Sequence, residues 1–213
     1  MILYLAGINH FDPLSRERLR EWFERISNNT GAPRFLAVEF REDVFLQVRA
    51  QRERFRQLLK EQWPQMSEAL VNTLVLSLAY EGDTHLEIFP AVEVLWLNQH
   101  RQLTEVEIDG INRYAEDRLT MYRQFLDQGA GHLPDDDKVL ATISESARLR
   151  ADPAKKGGDA RDEQFAQVII QRIGNSQDGW AIIVAGSNHI QDSNGSMRRL
   201  LENAGHRCEI TLL

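Results

Sequence analysis

Two copies of one short pattern, Gly-x-Asn-His, stand at Gly7-Ile8-Asn9-His10 and Gly186-Ser187-Asn188-His189. Random placement of this chain's glycines, asparagines and histidines would give roughly 0.02 such matches. Each copy directly follows an apolar run, residues 2–6 and 180–185. Glycine permits a tight exit from a strand and close backbone approach, while histidine binds a metal or moves protons near neutral pH. The alternative reading of either copy is a surface turn with asparagine and histidine as ordinary turn residues. Two copies at two strand ends favour one site.

Glu39 interrupts the apolar segment Phe35-Leu36-Ala37-Val38-Glu39-Phe40. A buried carboxylate must be paired or hydrogen-bonded, so Glu39 is either part of a structural ion pair or a site residue. Arg41 is a partner for it or an exposed strand-end residue. The remaining histidines read as solvated or capping residues: His85 at a helix start, His100 at a helix end, His132 in a loop and His206 beside a helix C-terminus. Cys208, the single cysteine, excludes an internal disulfide framework and reads as buried and unreactive.

The elements that would carry these residues alternate. Residues 2–6 read as a buried strand, and Leu19, Trp22, Phe23 and Ile26 form the apolar stripe of a helix with Ser15 as N-cap. A second strand covers residues 34–40. Residues 43–60 are ambiguous at their start and helical from residue 51. Pro64 suits a helix first turn, with Met66, Leu70, Thr73 and Leu74 on one face. A third helix is expected over residues 84–99, a third strand over 105–109, and a further helix over 111–126. Residues 129–137 and 148–158 read as loops. Helix 160–173, strand 180–185, helix 196–203 and strand 209–213 complete the chain. Strands separated by helices predict an α/β fold, with a mainly parallel central sheet flanked by helices and a helical insertion in the middle. Sites in such sheets lie beyond the carboxyl ends of the strands. Both motifs, Glu39 and Asp109 fall there.

Length and composition agree with one domain over residues 1–213, with 42% apolar and 27% charged residues. A formal charge of −7 excludes a general nucleic-acid surface and leaves room for a local basic pocket. The opening residues lack a basic segment followed by a long apolar one, and no apolar stretch is long enough to span a bilayer. A soluble cytoplasmic protein is expected, and a homo-oligomer is compatible with the composition.

The paired motifs resemble those of the superfamily that includes the Tiki proteases, the TraB and PrgY pheromone-shutdown proteins, GumN, the ChaN haem-binding lipoprotein and the erythromycin esterases. The matching segments are Leu5 to His10 and Val184 to Ile190. The strand carrying Glu39 is similar to that family's glutamate strand, and Glu87-Ile88-Phe89-Pro90-Ala91 resembles its segment with a glutamate four residues before an alanine. Val106-Glu107-Ile108-Asp109 is similar to its strand ending in aspartate. The tail, from Ala160-Arg161-Asp162-Glu163 through the second motif to Gly205, follows the family order. Gly110 departs from it, standing where an arginine often follows the aspartate.

The resemblance implies a metal-assisted or histidine-dependent hydrolase acting on a small-molecule or peptide substrate through a peptide, ester or phosphate-containing bond. His10 and His189 would hold a divalent metal (Mn, Co or Zn) or act as general base. Glu39 would complete the metal site or activate water, and Arg161 would stabilise developing negative charge. Glu87, Asp109, Asn9 and Asn188 would bind substrate. On local grounds Glu87 also reads as a helix-face residue, Asp109 as a helix cap, and Arg161 as a partner of Glu163 or Asp159. The alternative implied by ChaN is binding of haem or another small ligand without catalysis.

Overall fold

Leu3, Leu5, Ala6 and Ile8 are almost fully excluded from water, because β1 (Ile2–Ile8) runs inside a parallel sheet rather than at its edge. The computed structural model describes residues 1–128, 135–150, 160–174, 178–191 and 194–213. The other strands are β2 (Leu36–Val38), β3 (Val94–Trp96), β4 (Trp180–Gly186) and β5 (Arg207–Leu212). Their order across the sheet is β3-β2-β4-β1-β5, and every pairing is parallel. This is the α/β architecture with a mainly parallel sheet expected from the sequence.

The strand period of two sorts the side chains to opposite faces. One face gathers Leu3, Leu5, Ala37, Ile183 and Ala185 against α9 (Ala160–Ile173) and α11 (Met197–Asn203). The other gathers Ala6, Ile8, Leu36, Val38, Ile182 and Val184 against α1 (Ser15–Thr30). As predicted, α1 turns Leu19, Trp22, Phe23 and Ile26 inward. A third apolar cluster forms among the inserted helices: α2 (Glu42–Ala50), α3 (Arg52–Gln62), α4 (Glu68–Leu76), α7 (Tyr114–Gln128) and α8 (Asp136–Arg150). Two further helices, α5 (Tyr80–Ile88) and α6 (Glu105–Asn112), link this cluster to the sheet, and the four-residue α10 (Ser187–Ile190) follows β4. Among the described residues no helix is long and apolar enough to cross a membrane.

Several boundaries differ from the sequence expectation, each for a local reason. Residues 105–109 form the start of α6, not a strand. Thr104 accepts the N–H of Glu107 while the Glu107 carboxylate accepts the N–H of Thr104, a capping box that starts a helix. The third strand is instead β3. The helix expected over 84–99 ends at Ile88, since Phe89 precedes Pro90 and leaves helical geometry (φ −126°, ψ 56°). Helix 111–126 divides at Arg113 into α6 and α7. Ser15 is the first residue of α1 rather than its cap; Asp12 accepts the N–H of Leu14 and of Ser15. Pro64 lies in the turn before Ser67, which caps α4. The segment 43–60 is helical from Glu42, and β2 is shorter than residues 34–40, leaving Glu39 just beyond its end. The predicted loops at 129–137 and 148–158, including His132, fall largely or wholly outside the described residues.

Candidate functional site

The carboxyl ends of β1, β2 and β4 bring His10, Glu39 and His189 together. The His10 Nε2 lies 3.2 Å from Glu39 Oε2, and the His189 Nε2 lies 3.4 Å from Glu39 Oε1. One carboxylate therefore joins the histidines of the two motifs, each on its own oxygen. The Gly186 N–H donates to Glu39 Oε2 at 2.9 Å, and Asn98 donates to the Glu39 carbonyl. The Glu39 carboxylate is also 3.7 Å from the Arg161 guanidinium, on the first turn of α9.

The glycines of the two motifs do different work. A Cβ on Gly186 would stand 3.3 Å from Glu39 Oε2 and 3.4 Å from His10 Nε2, so the bare backbone lets both approach. A Cβ on Gly7 would overlap the side chains of Ile190 and Leu212 at 2.4 and 2.8 Å, a packing constraint between β1, α10 and β5. The same residue type thus serves electrostatics at one motif and close packing at the other.

Two further carboxylates hold the outer ring nitrogens. Glu81 Oε1 lies 2.6 Å from His10 Nδ1, and Asp162 Oδ1 lies 3.0 Å from His189 Nδ1. Glu81 and Asp162 are 3% and 0% exposed, so both must be satisfied inside the protein. Asp162 also accepts the N–H of Met197 at 2.9 Å, which ties the start of α11 to the site. The result is an alternating chain, Glu81–His10–Glu39–His189–Asp162. Burial opposes charge on both imidazoles, but the carboxylates outweigh it. The His10 pKa is raised well above its usual value by Glu39 and Glu81, and that of His189 rises to about 9 through Asp162 and Glu39. Burial likewise opposes ionisation of Glu39, yet hydrogen bonds from both histidines hold its pKa well below the usual carboxylate range. All three groups are thereby biased toward their charged forms, imidazolium, carboxylate and imidazolium.

Below His10 lies Arg118 of α7, 3% exposed, whose guanidinium donates to the His10 carbonyl at 2.8 Å and to Tyr114. The rings of Phe11, Tyr114 and Tyr122 surround it at 5.1–5.8 Å, an aromatic cage that compensates its lost hydration. The guanidinium fixes the backbone from which His10 projects.

Sequence reasoning named His10, Glu39, His189 and Arg161, and the structure brings these four together. It missed Glu81, Asp162 and Arg118. Asp162 had a readable signal, since it falls three and four residues before Phe165 and Ala166 on the buried stripe of α9, where a carboxylate needs a partner. Glu81 lies in a segment without clear periodicity.

Other candidates fall elsewhere. Asp109 is on the exposed side of α6 (69% exposed), 3.8 Å from Arg113, because the strand that would have delivered it to the rim is a helix. Glu87 projects from α5 toward Arg16 at 3.2 Å and is 47% exposed, away from the cluster. Asn9 holds the loop after β1, donating to the Ala147 carbonyl and accepting the N–H of Phe11. Asn188 accepts from Gln191 within the turn after β4. Arg41 pairs with Asp43 rather than with Glu39. His85 is neither solvated nor capping: it is 1% exposed and stacks on Phe23 with ring centroids 5.3 Å apart. His206 is also buried. Cys208 is partly buried, and burial with Glu202 nearby pushes its thiol up to about 12, which keeps it unreactive.

The donor types at the cluster, two imidazoles and a carboxylate, suit a divalent metal, and each imidazole has the carboxylate behind it that metal-bound histidines use. As the side chains stand, they form a hydrogen-bonded cluster. Among the described residues no group of three or more His, Cys, Asp or Glu is spaced to hold an ion. Comparison with protein-family models, with curated proteins and with solved structures found no match for this chain.

Proposed function

We propose that the protein is a hydrolase of the Tiki, TraB and erythromycin-esterase type, cleaving its substrate at the His10–Glu39–His189 cluster. The observation that carries this reading is the alternating chain from Glu81 to Asp162 at the carboxyl edge of the sheet. Carboxylates on both Nδ1 atoms set the ring orientations and aim both Nε2 atoms at Glu39. That aim favours hydrolysis over haem ligation, in which an Nε2 must face an open apolar slot.

The roles follow from exposure and charge. His10 is 30% exposed and Glu39 16%, whereas His189 is 6% exposed, so substrate and water enter at the His10 side. Water entering between His10 and Glu39 replaces their hydrogen bond and is oriented by the carboxylate. Glu39 accepts a proton as the water oxygen attacks the carbonyl carbon or phosphorus. The His10 imidazolium gives its proton to the leaving group, and Arg161 offsets the negative charge that builds on the substrate oxygen. His189 keeps the other Glu39 oxygen in place. Proton transfer from Glu39 to His10 then restores the resting pattern.

The test is a panel of p-nitrophenyl acetate, p-nitrophenyl phosphate and a fluorogenic peptide, each assayed with chelator and with added Mn²⁺, Co²⁺ or Zn²⁺. Wild type is expected to hydrolyse at least one class. Glu39→Gln and His10→Ala should lose about 10²- to 10⁴-fold of that rate while retaining a cooperative thermal transition. Failure of wild type on every class, or full activity in both variants, overturns the reading. Haem titration is the counter-test: a Soret band that disappears in both His10→Ala and His189→Ala favours the binding alternative.

A further inference from the structure

Beside the histidine cluster, the carboxyl edge of the sheet opens into a cleft of about 570 Å³. Asn9 and Ser187 line it, and these are the chain neighbours of His10 and Gly186. The cleft is therefore one residue away from the cluster along both motifs. Its wall is the face of α1 on which Arg18, Trp22 and Arg25 recur at helical spacing, i, i+4 and i+7. Arg148, near the end of α8, also lines it.

Three guanidinium groups thus stand against a single acidic side chain in the lining, Glu21. Arg18 is engaged by the buried Asp12 at 2.9 Å. Arg25 and Arg148 are exposed and make no ion pair with any other described residue. In a chain of net charge −7, a concentration of positive charge in the cleft beside the reactive cluster runs against the overall balance. Guanidinium forks match carboxylate and phosphate oxygens in bidentate geometry, and walls of low dielectric strengthen the field in a cleft.

We infer that this cleft binds the anionic end of the substrate, a carboxylate or phosphate group, through Arg25 and Arg148. The bond to be cut then reaches His10 and Glu39 past Asn9 and Ser187. The substrate role rests on the hydrolase reading; the anion binding does not.

Calorimetric titration separates the two. Phenyl phosphate, benzoate and benzyl alcohol are titrated into wild type, into the Arg25→Ala/Arg148→Ala double variant and into His10→Ala. At least one of the two anions should bind wild type, and the double variant should bind it about tenfold more weakly or worse. Benzyl alcohol should not bind, and His10→Ala should retain the wild-type affinity for the anion. Whichever of phenyl phosphate and benzoate binds more tightly identifies the group the cleft takes. Absence of binding by both anions, or unchanged binding in the double variant, overturns the inference. If the anion binds through these arginines while no substrate is hydrolysed, the hydrolase reading falls and the binding site stands. If a substrate is hydrolysed and neither arginine affects anion binding, the reverse holds.

Discussion

The two Gly-x-Asn-His segments share a sequence and a sheet edge but not an environment. After β1 the first segment runs into an open loop, leaving His10 30% exposed. After β4 the second turns directly into α10, placing His189 at 6% exposure against Phe165, with ring centroids 5.2 Å apart. Each imidazole has a buried carboxylate behind it, but Asp162 also holds the start of α11, whereas the Glu81 carboxylate hydrogen-bonds His10 alone among the described residues. A repeated motif therefore need not mean two equivalent residues. One histidine is partly open to solvent, while its counterpart braces the shared carboxylate from inside the core.

The largest effects are expected from removing the two outer carboxylates. Asp162→Ala would take one of two carboxylates from the buried His189 ring and leave its Nδ1 and an amide of α11 unpaired, costing roughly 3–5 kcal/mol of stability. Glu81→Gln should cost less in denaturant unfolding and more in hydrolysis. Equal stability losses in the two variants would refute the division of labour.

A methyl group added to each glycine extends the contrast. Gly7→Ala and Gly186→Ala should each destabilise by about 1–3 kcal/mol, measured as a shift in the urea midpoint. They should differ in activity. Gly7→Ala crowds Ile190 and Leu212 and spares the cluster, whereas Gly186→Ala crowds Glu39 and His10 and, on the proposed hydrolase reading, should suppress turnover.

The pH dependence is smaller. His189 has a folded pKa raised to about 9, so its contribution is complete below about pH 6.5 and lost as pH rises through 9. The stability gap between wild type and His189→Gln should therefore narrow over that interval. A gap that stays constant from pH 6 to about 10 would place the proton elsewhere.

The smallest effect is expected far from the pairing. His85 is buried with both ring nitrogens unpartnered among the described residues, and burial pushes it down to about 3. The unfolded chain takes up that proton first, so His85 lowers stability as pH falls from about 6.5 toward 3. His85→Leu should raise Tm at acidic pH and change it little at pH 8. A lower Tm at acidic pH would contradict this.

Local sequence was enough where one physical rule dominated. Fully buried strands read as apolar runs, so β1 and β4 were legible, and so was the apolar stripe of α1. The break of the apolar pattern at Glu39 marked a carboxylate that had to find partners. The rules failed where two signals competed. Thr104 and Glu107 form a helix-start signature that outweighs the alternation of Val106 and Ile108, so residues 105–109 start α6 and Asp109 stays away from the rim. At Pro90 the restriction on the preceding residue outweighs the helical pattern beyond it and ends α5 at Ile88.

By itself the sequence determined that two histidines and a glutamate end parallel strands, because strand periodicity and glycine turns are properties of neighbouring residues. The roles of Glu81, Asp162 and Arg118 were decided only by the tertiary structure. They come from α5, α9 and α7, and they reach the repeated Gly-x-Asn-His only when those helices pack against the sheet. Burial sets the energetic importance of a charged partner, and burial belongs to the assembled core rather than to any stretch of chain.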